Sequence, residues 1–213
     1  MWSDNPDLGA EIAPDAPRHW AKAVLAQHGR LVALDSLANA GPPSASSPPG
    51  PPSPLAGMNR LVMAQPRALS PLENVALDTW VRGGGQLLLL ADPALTEDSP
   101  LGLGDPRRPL AGTMLSPILA RWGLTLHFDE AQPLGEVTRD VMGLGVPVNL
   151  PGRFETRGQA NCRLWADGLA VTCAIGQGRV VALADAALLD RDDPAGTRPR
   201  LLGALLDSAF VGH

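Results

Sequence analysis

At 213 residues the chain is long enough for one large α/β domain or two small ones, and an apolar content of 45% supplies a real core. Its net charge is −5, and its basic residues are one lysine, Lys22, and sixteen arginines, with no cluster longer than Arg107-Arg108; that balance argues against a nucleic-acid partner. No run of 18 apolar residues occurs, so no transmembrane segment is expected, and the N-terminal stretch lacks the basic and apolar regions of a signal peptide.

Residues 1–14 read as an irregular segment, and residues 15–213 as a single α/β domain. Asp15 or Pro17 starts a helix through His28 that Gly29 ends. RLVAL at 30–34 reads as a short buried strand closed by Asp35. Seven of the fourteen residues at 41–54 are proline, and all but Ala45 are Pro, Gly or Ser. Nothing there fills a core, so a solvated loop with polyproline character is expected. LVMA at 61–64 is the next strand, followed by a turn at Gln65-Pro66-Arg67.

The most informative stretch is LSPLENVALDTWVRGGGQLLLLADPAL, residues 69–95. Ser70 is a good N-cap, Pro71 suits the first helical position, and Glu73 completes a Ser-x-x-Glu capping box. Leu72, Val75, Ala76 and Trp80 then form an apolar stripe at helical spacing. Gly83, Gly84 and Gly85 end the helix. Leu87 to Ala91 is an apolar run without alternation, the pattern of a strand buried on both faces in a parallel sheet.

Residues 96–112 read as a loop. A helix from Thr113 or Ser116 to Trp122 is stopped by Gly123, and LTLHF at 124–128 alternates like a strand. From Val137 to Cys173 the pattern is short strands and turns, an antiparallel insertion. RVVALA at 179–184 is again a buried strand, and a helix over 198–210 finishes the chain. Three strands end alike, in LVALDSLA, LLLLADPAL and VVALADAAL, as expected of similar βα junctions in one parallel sheet. The expected fold is a three-layer α/β sandwich with a mainly parallel, flavodoxin-like sheet and an antiparallel insertion near 137–173.

Asp35, Asp92 and Asp185 are the best polar constellation, since ligands of open parallel sheets sit beyond the carboxyl ends of the strands. Together they could hold a divalent cation or act as acid, base or nucleophile. The alternative is that each fixes a turn or caps the next helix. His127-x-Asp129 with Glu130 could be a metal pair on one strand face, but no histidine has a second partner at ligand spacing. The glycines at 83–85 precede a strand, the reverse of a nucleotide-binding turn. No cofactor is expected. Counting outward from Asp167-Gly168, a type I′ hairpin signal, places Cys162 opposite Cys173 at a hydrogen-bonded pair with Cα atoms about 5.5 Å apart. The two thiols either form a disulfide, which would mean an oxidising compartment, or stay free in a cytoplasmic protein.

The stretch carrying Leu77, Trp80, Val81, Gly83 to Gly85 and Leu87 to Asp92 resembles the auxiliary component of uncharacterised, gliding-motility-type ABC transport systems. That family carries a non-catalytic domain similar to class I glutamine amidotransferases. Gly176 to Asp185, GQGRVVALAD, is similar to the family's second landmark, and the two frame residues 18–210 or so. The amidotransferase nucleophile, a cysteine in a strand-to-helix elbow, has no counterpart, and neither do the family's membrane segments. The resemblance implies a non-catalytic accessory or ligand-binding module at the cell envelope, with permease or ATPase subunits as partners. The rival expectation is a divalent-cation-dependent hydrolase using the three aspartates.

Overall fold

The computed structural model describes residues 19–39, 52–97, 108, 111–190, 193 and 195–211. The irregular segment expected at 1–14, most of the proline-rich loop at 41–54 and part of the loop at 96–112 lie outside the described residues. In chain order the elements are α1 (Trp20–Gln27), β1 (Arg60–Ala64), α2 (Pro71–Arg82), β2 (Gln86–Leu90), α3 (Ser116–Arg121), β3 (Leu124–His127), β4 (Val137–Val141), β5 (Leu144–Val148), β6 (Arg153–Thr156), β7 (Cys162–Trp165), β8 (Ala170–Ile175), β9 (Gly178–Leu183) and α4 (Arg198–Ala209).

The main sheet has the order β1-β2-β9-β8-β7. Strands β1, β2 and β9 are parallel, while β8 and β7 are antiparallel, so the sheet is mixed. All five residues of β2 are buried. Leu87 and Leu89 face a core shared with Leu77 and Val81 of α2 and with Ile118 and Leu119 of α3. Leu88 and Leu90 face a second core with Val24 of α1 and with Leu202, Leu205 and Leu206 of α4. Burial on both faces is the physical reason for the run without alternation. The region 137–173 is antiparallel as expected, but it divides. β4 pairs with β5, and β6 pairs with the earlier β3, each as a two-stranded sheet. Strands β7 and β8 instead extend the main sheet.

Helix α2 forms from its expected cap. Ser70 Oγ accepts from Glu73 N at 3.3 Å, and a Glu73 oxygen accepts from Ser70 N at 2.9 Å. The buried face, however, is Glu73, Leu77, Asp78 and Val81. The expected stripe is displaced: Leu72 and Val75 are exposed, and Ala76 and Trp80 half-buried. Two carboxylates occupy the buried face because each finds partners there. Asp78 accepts from Arg82 Nε at 3.0 Å, from Arg121 Nε at 2.5 Å and from Trp122 Nε1 at 3.1 Å, which ties α2 to α3. Behind α2 the backbones approach so closely that a Cβ on Gly178 would lie 1.9 Å from the Val81 carbonyl oxygen.

Two further expectations are corrected. Residues 30–34 do not form a strand: Leu31 and Val32 are 44% and 52% exposed, and among the described residues no backbone hydrogen bond joins the segment to β1. Side chains hold its ends instead, Arg60 Nη1 donating to the His28 carbonyl and Arg67 Nη2 to that of Asp35, both at 3.2 Å. The hairpin register is as counted, Cys162 opposite Cys173, and the two form a disulfide. The connection, though, is four residues long, Ala166 to Leu169, with Ala166 and Asp167 at positive φ. The cysteine Cα atoms are 4.0 Å apart, nearer the roughly 4.5 Å of a non-hydrogen-bonded pair than the roughly 5.5 Å of a bonded one.

Asp78→Ala should strand the buried Trp122 N–H and leave two guanidinium groups without their shared acceptor. The expected cost is about 2 kcal/mol, a fall of roughly 4–8 °C in Tm, read by thermal denaturation of the oxidised protein. An unchanged Tm would show that α2 and α3 are joined by apolar packing alone.

Candidate functional site

The three aspartates do not converge. Asp92 and Asp185 end the neighbouring parallel strands β2 and β9 and come together. Asp35 is exposed at the end of the 30–34 segment, its carbonyl accepting from Arg67 Nη2. Asp92 is 1% exposed and Asp185 0% exposed. All four of their oxygens are engaged by backbone amides. Asp92 Oδ1 accepts from Ala94 N at 2.8 Å and Oδ2 from Ala186 N at 3.2 Å. Asp185 Oδ1 accepts from Ala187 N at 2.7 Å and Oδ2 from Asn149 N at 2.9 Å. Each aspartate thus bonds the amide two residues on, an Asx turn, and then reaches across to a second segment. This explains the repeated strand-Asp pattern at 87–95 and 180–188. The backbone at Asp92 is held in turn by Gln65, whose Oε1 accepts from Asp92 N and whose Nε2 donates to the Asp92 carbonyl, both at 3.0 Å.

With no guanidinium or ammonium among these partners, burial dominates the ionisation. It pushes the Asp92 carboxyl up to about 6 against the donors from Ala94 and Ala186. For Asp185, burial and then the charge of Asp92 push it up to about 8. Burial, followed by Glu97, also raises nearby Asp190 to about 6. Buried Arg198 lies alongside, donating to the Ala187 carbonyl and to Glu136.

The His127 pair is not assembled as a metal site. His127 Nε2 lies 3.2 Å from Glu155, while Asp129 accepts from the Ala131 amide at 2.9 Å. Among the described residues no group of three His, Cys, Asp or Glu is placed to hold a metal ion.

A concave feature lies elsewhere. A groove of about 650 Å³ runs along the outer edge of β1, between it and residues 30–34. Its floor and walls are aliphatic, including Leu25, Leu37, Leu61, Met63 and Leu206. Among the described residues, the charged and ionisable ones lining it are Lys22, His28, Arg30 and Arg60. Sequence reasoning missed the groove because it treats 30–34 as a buried strand. It also missed Asp78, although the i,i+4 spacing to Arg82 is a legible ion-pair signal. Nothing in the sequence singles out Gln65 or Arg198.

The chain matches no protein-family model and no curated protein. Among solved structures it is similar to the exo-β-1,4-mannosidase Op5Man5 from Opitutaceae bacterium strain TAV5, with 19% identity over 76% of this chain and 27% of that one, TM-score 0.46. It is also similar to a β-galactosidase from Bacillus circulans sp. alkalophilus, with 14% identity over 70% of this chain and 22% of that one, TM-score 0.42. A cytoplasmic protein from Salmonella typhimurium shares 11% identity over 71% of each chain, TM-score 0.41. The chain therefore spans about a quarter of the two glycosidases. With these TM-scores all below 0.5, the reading of this chain rests on its own residues.

A pH dependence follows from the raised carboxyls. Each binds its proton more tightly folded than unfolded, where the ordinary value is 3.8. Their contribution is full below about 4 and is lost as pH rises through about 6 for Asp92 and about 8 for Asp185. Unfolding free energy from urea titrations should therefore fall between pH 5 and pH 8.5. Asp185→Asn should flatten that slope while lowering stability at pH 5, because its amide nitrogen would face a backbone donor. Stability that rises across the window would contradict the assignment.

Proposed function

We propose that this chain is a non-catalytic accessory or ligand-binding module of an ABC-type transport system at the cell envelope. The observation that carries the non-catalytic part is the state of the strand-end carboxylates. Asp92 and Asp185 are sealed from solvent, and every oxygen they have accepts a backbone N–H. A general base or a metal ligand needs an oxygen that substrate or ion can reach. Here those oxygens hold the loops after β2 and β9 in place. Asp35, exposed beside β1, does not join them.

Three features support the rest of the reading. The disulfide Cys162–Cys173 fits an oxidising compartment, so the envelope is the favoured location. Among the described residues no helix is long and apolar enough to cross a membrane. A membrane association would therefore run through partners such as permease or ATPase subunits or through chain outside the described residues. Helices on both faces of the sheet fit a flavodoxin-like outline in which residues 30–34 stand where a further parallel strand would lie. The transport association itself rests on the resemblance of 77–92 and 176–185.

The rival, a divalent-cation hydrolase on the strand-end aspartates, makes a different thermal prediction. Millimolar magnesium or manganese should leave the Tm of the wild-type protein unchanged, and Asp92→Ala should lower Tm by the equivalent of about 1–2 kcal/mol with or without metal. Stabilisation by either ion in the wild type, absent in Asp92→Ala, would replace the binding-module reading with the hydrolase.

The compartment is tested separately. Protein isolated without reductant from its native compartment, denatured and treated with mass-labelled maleimide, should show no free thiol. Labelling of both cysteines would return the protein to the cytoplasm. Removing the bridge should cost about 3 kcal/mol, given its sequence separation of 11 residues.

A further inference from the structure

We infer that Arg179 and Gln86, where β9 and β2 begin, form a buried site for a single water molecule that joins the two strands beneath the chain leaving α4. The inference is independent of the binding-module reading.

Three observations carry it. First, the register brings the two side chains together. Gln86 and Arg179 are partners across the parallel pair of β2 and β9. Each stands two residues before a residue of the core under α4, Leu88 and Val181 respectively. A strand returns to the same face at every second residue, so both side chains leave the sheet on the α4 side.

Second, each side chain carries one buried atom that no protein group meets. Gln86 is 7% exposed and its Oε1 has no hydrogen-bond partner; the buried Nε of half-buried Arg179 has none either. Their backbone amides are satisfied, Gln86 N donating to the Asn59 carbonyl at 2.9 Å and Arg179 N to that of Gly85 at 3.1 Å. The need is therefore confined to the side chains. The next positions in the row do not meet it. Arg60, opposite Gln86 on β1, donates to the His28 carbonyl and lies over the Phe210 ring. Ala174, opposite Arg179 on β8, has only a methyl group.

Third, one orphan is an acceptor and the other a donor, and the amide of Gln86 cannot be turned over. Its Nε2 donates to the Val211 carbonyl at 3.0 Å, and reversal would set oxygen against oxygen there. The missing group must accept from Arg179 and donate to Gln86. An oxyanion could take the Arg179 N–H but offers Gln86 no proton. A metal ion or an ammonium group could meet Gln86 but repels the guanidinium. One water does both, and buried polar groups without protein partners are commonly completed in this way. Through Gln86 Nε2 the same bridge also fastens Val211, just beyond α4, to the sheet.

The test is a crystal structure of the oxidised full chain at a resolution that shows ordered water, grown without sulfate or phosphate. One solvent peak should lie within hydrogen-bond distance of both Arg179 Nε and Gln86 Oε1. Gln86→Met should remove that peak. In a double-mutant cycle, Gln86→Met and Arg179→Met should each lower Tm, and the double variant should lose less than the two losses added, because the second substitution strands nothing further. The inference is overturned by a direct Arg179–Gln86 hydrogen bond, by an absent solvent peak, by a peak that contacts only one of the two side chains, or by additive losses in the cycle.

Discussion

The architecture depends on one buried carboxylate that is never without donors. Glu73 is 2% exposed in the first turn of α2. Its oxygens accept from Ser36 Oγ, the Leu37 amide, both terminal nitrogens of Arg67 and the Ser70 amide. Burial by itself would raise its pKa, but Arg67, Ser70 and Leu37 outweigh that and hold it at about 2. A charge this deep is tolerated only when paired and fully hydrogen-bonded. The consequence is geometric. The start of α2, the turn after β1 and residues 36–37 are fastened to one point, and Arg67 extends the tie to the Asp35 carbonyl. The groove beside β1 has its width because that end of the 30–34 segment is held there.

The same chemistry sorts the other buried acids. Asp78 sits among Arg82, Arg121 and Trp122. Burial opposes its ionisation, but those donors prevail and its pKa is lowered. Asp92 and Asp185 have amide partners and no cation, and their pKa values rise. Carboxylates that look alike in sequence therefore divide into charged ties between helices and proton-holding turns between strands. A raised carboxyl in a crevice would be a candidate acid or base. At 0–1% exposure with every oxygen engaged, the same shift describes a structural joint.

At the carboxyl ends of β2 and β9, Gln65 brackets the Asp92 backbone, and the Asp185 oxygens accept from the Asn149 and Ala187 amides. Among the described residues an aliphatic groove runs along β1, lined also by Lys22, His28, Arg30 and Arg60.

Local chemistry was legible in the residues. The capping box Ser70 to Glu73, the helix stop at Gly83, the buried runs of β2 and β9 and the pairing of Cys162 with Cys173 all come from rules acting within a dozen residues. Features set by partners distant in sequence were not legible. The buried face of α2 is that of Glu73 and Asp78 because Arg67, Arg121 and Trp122 arrive there from elsewhere, and apolar spacing alone favours Leu72 and Val75. RLVAL has the composition of a strand, but a strand exists only where another backbone meets it, and here side-chain ties at Arg60 and Arg67 hold it away from β1. Asp35, Asp92 and Asp185 end similar segments, yet only the latter two end adjacent strands. By itself the sequence determined the elements and their caps; the tertiary structure decided which faces are buried, which acids keep their protons and where a groove is left, because each depends on groups that meet only once the chain has folded.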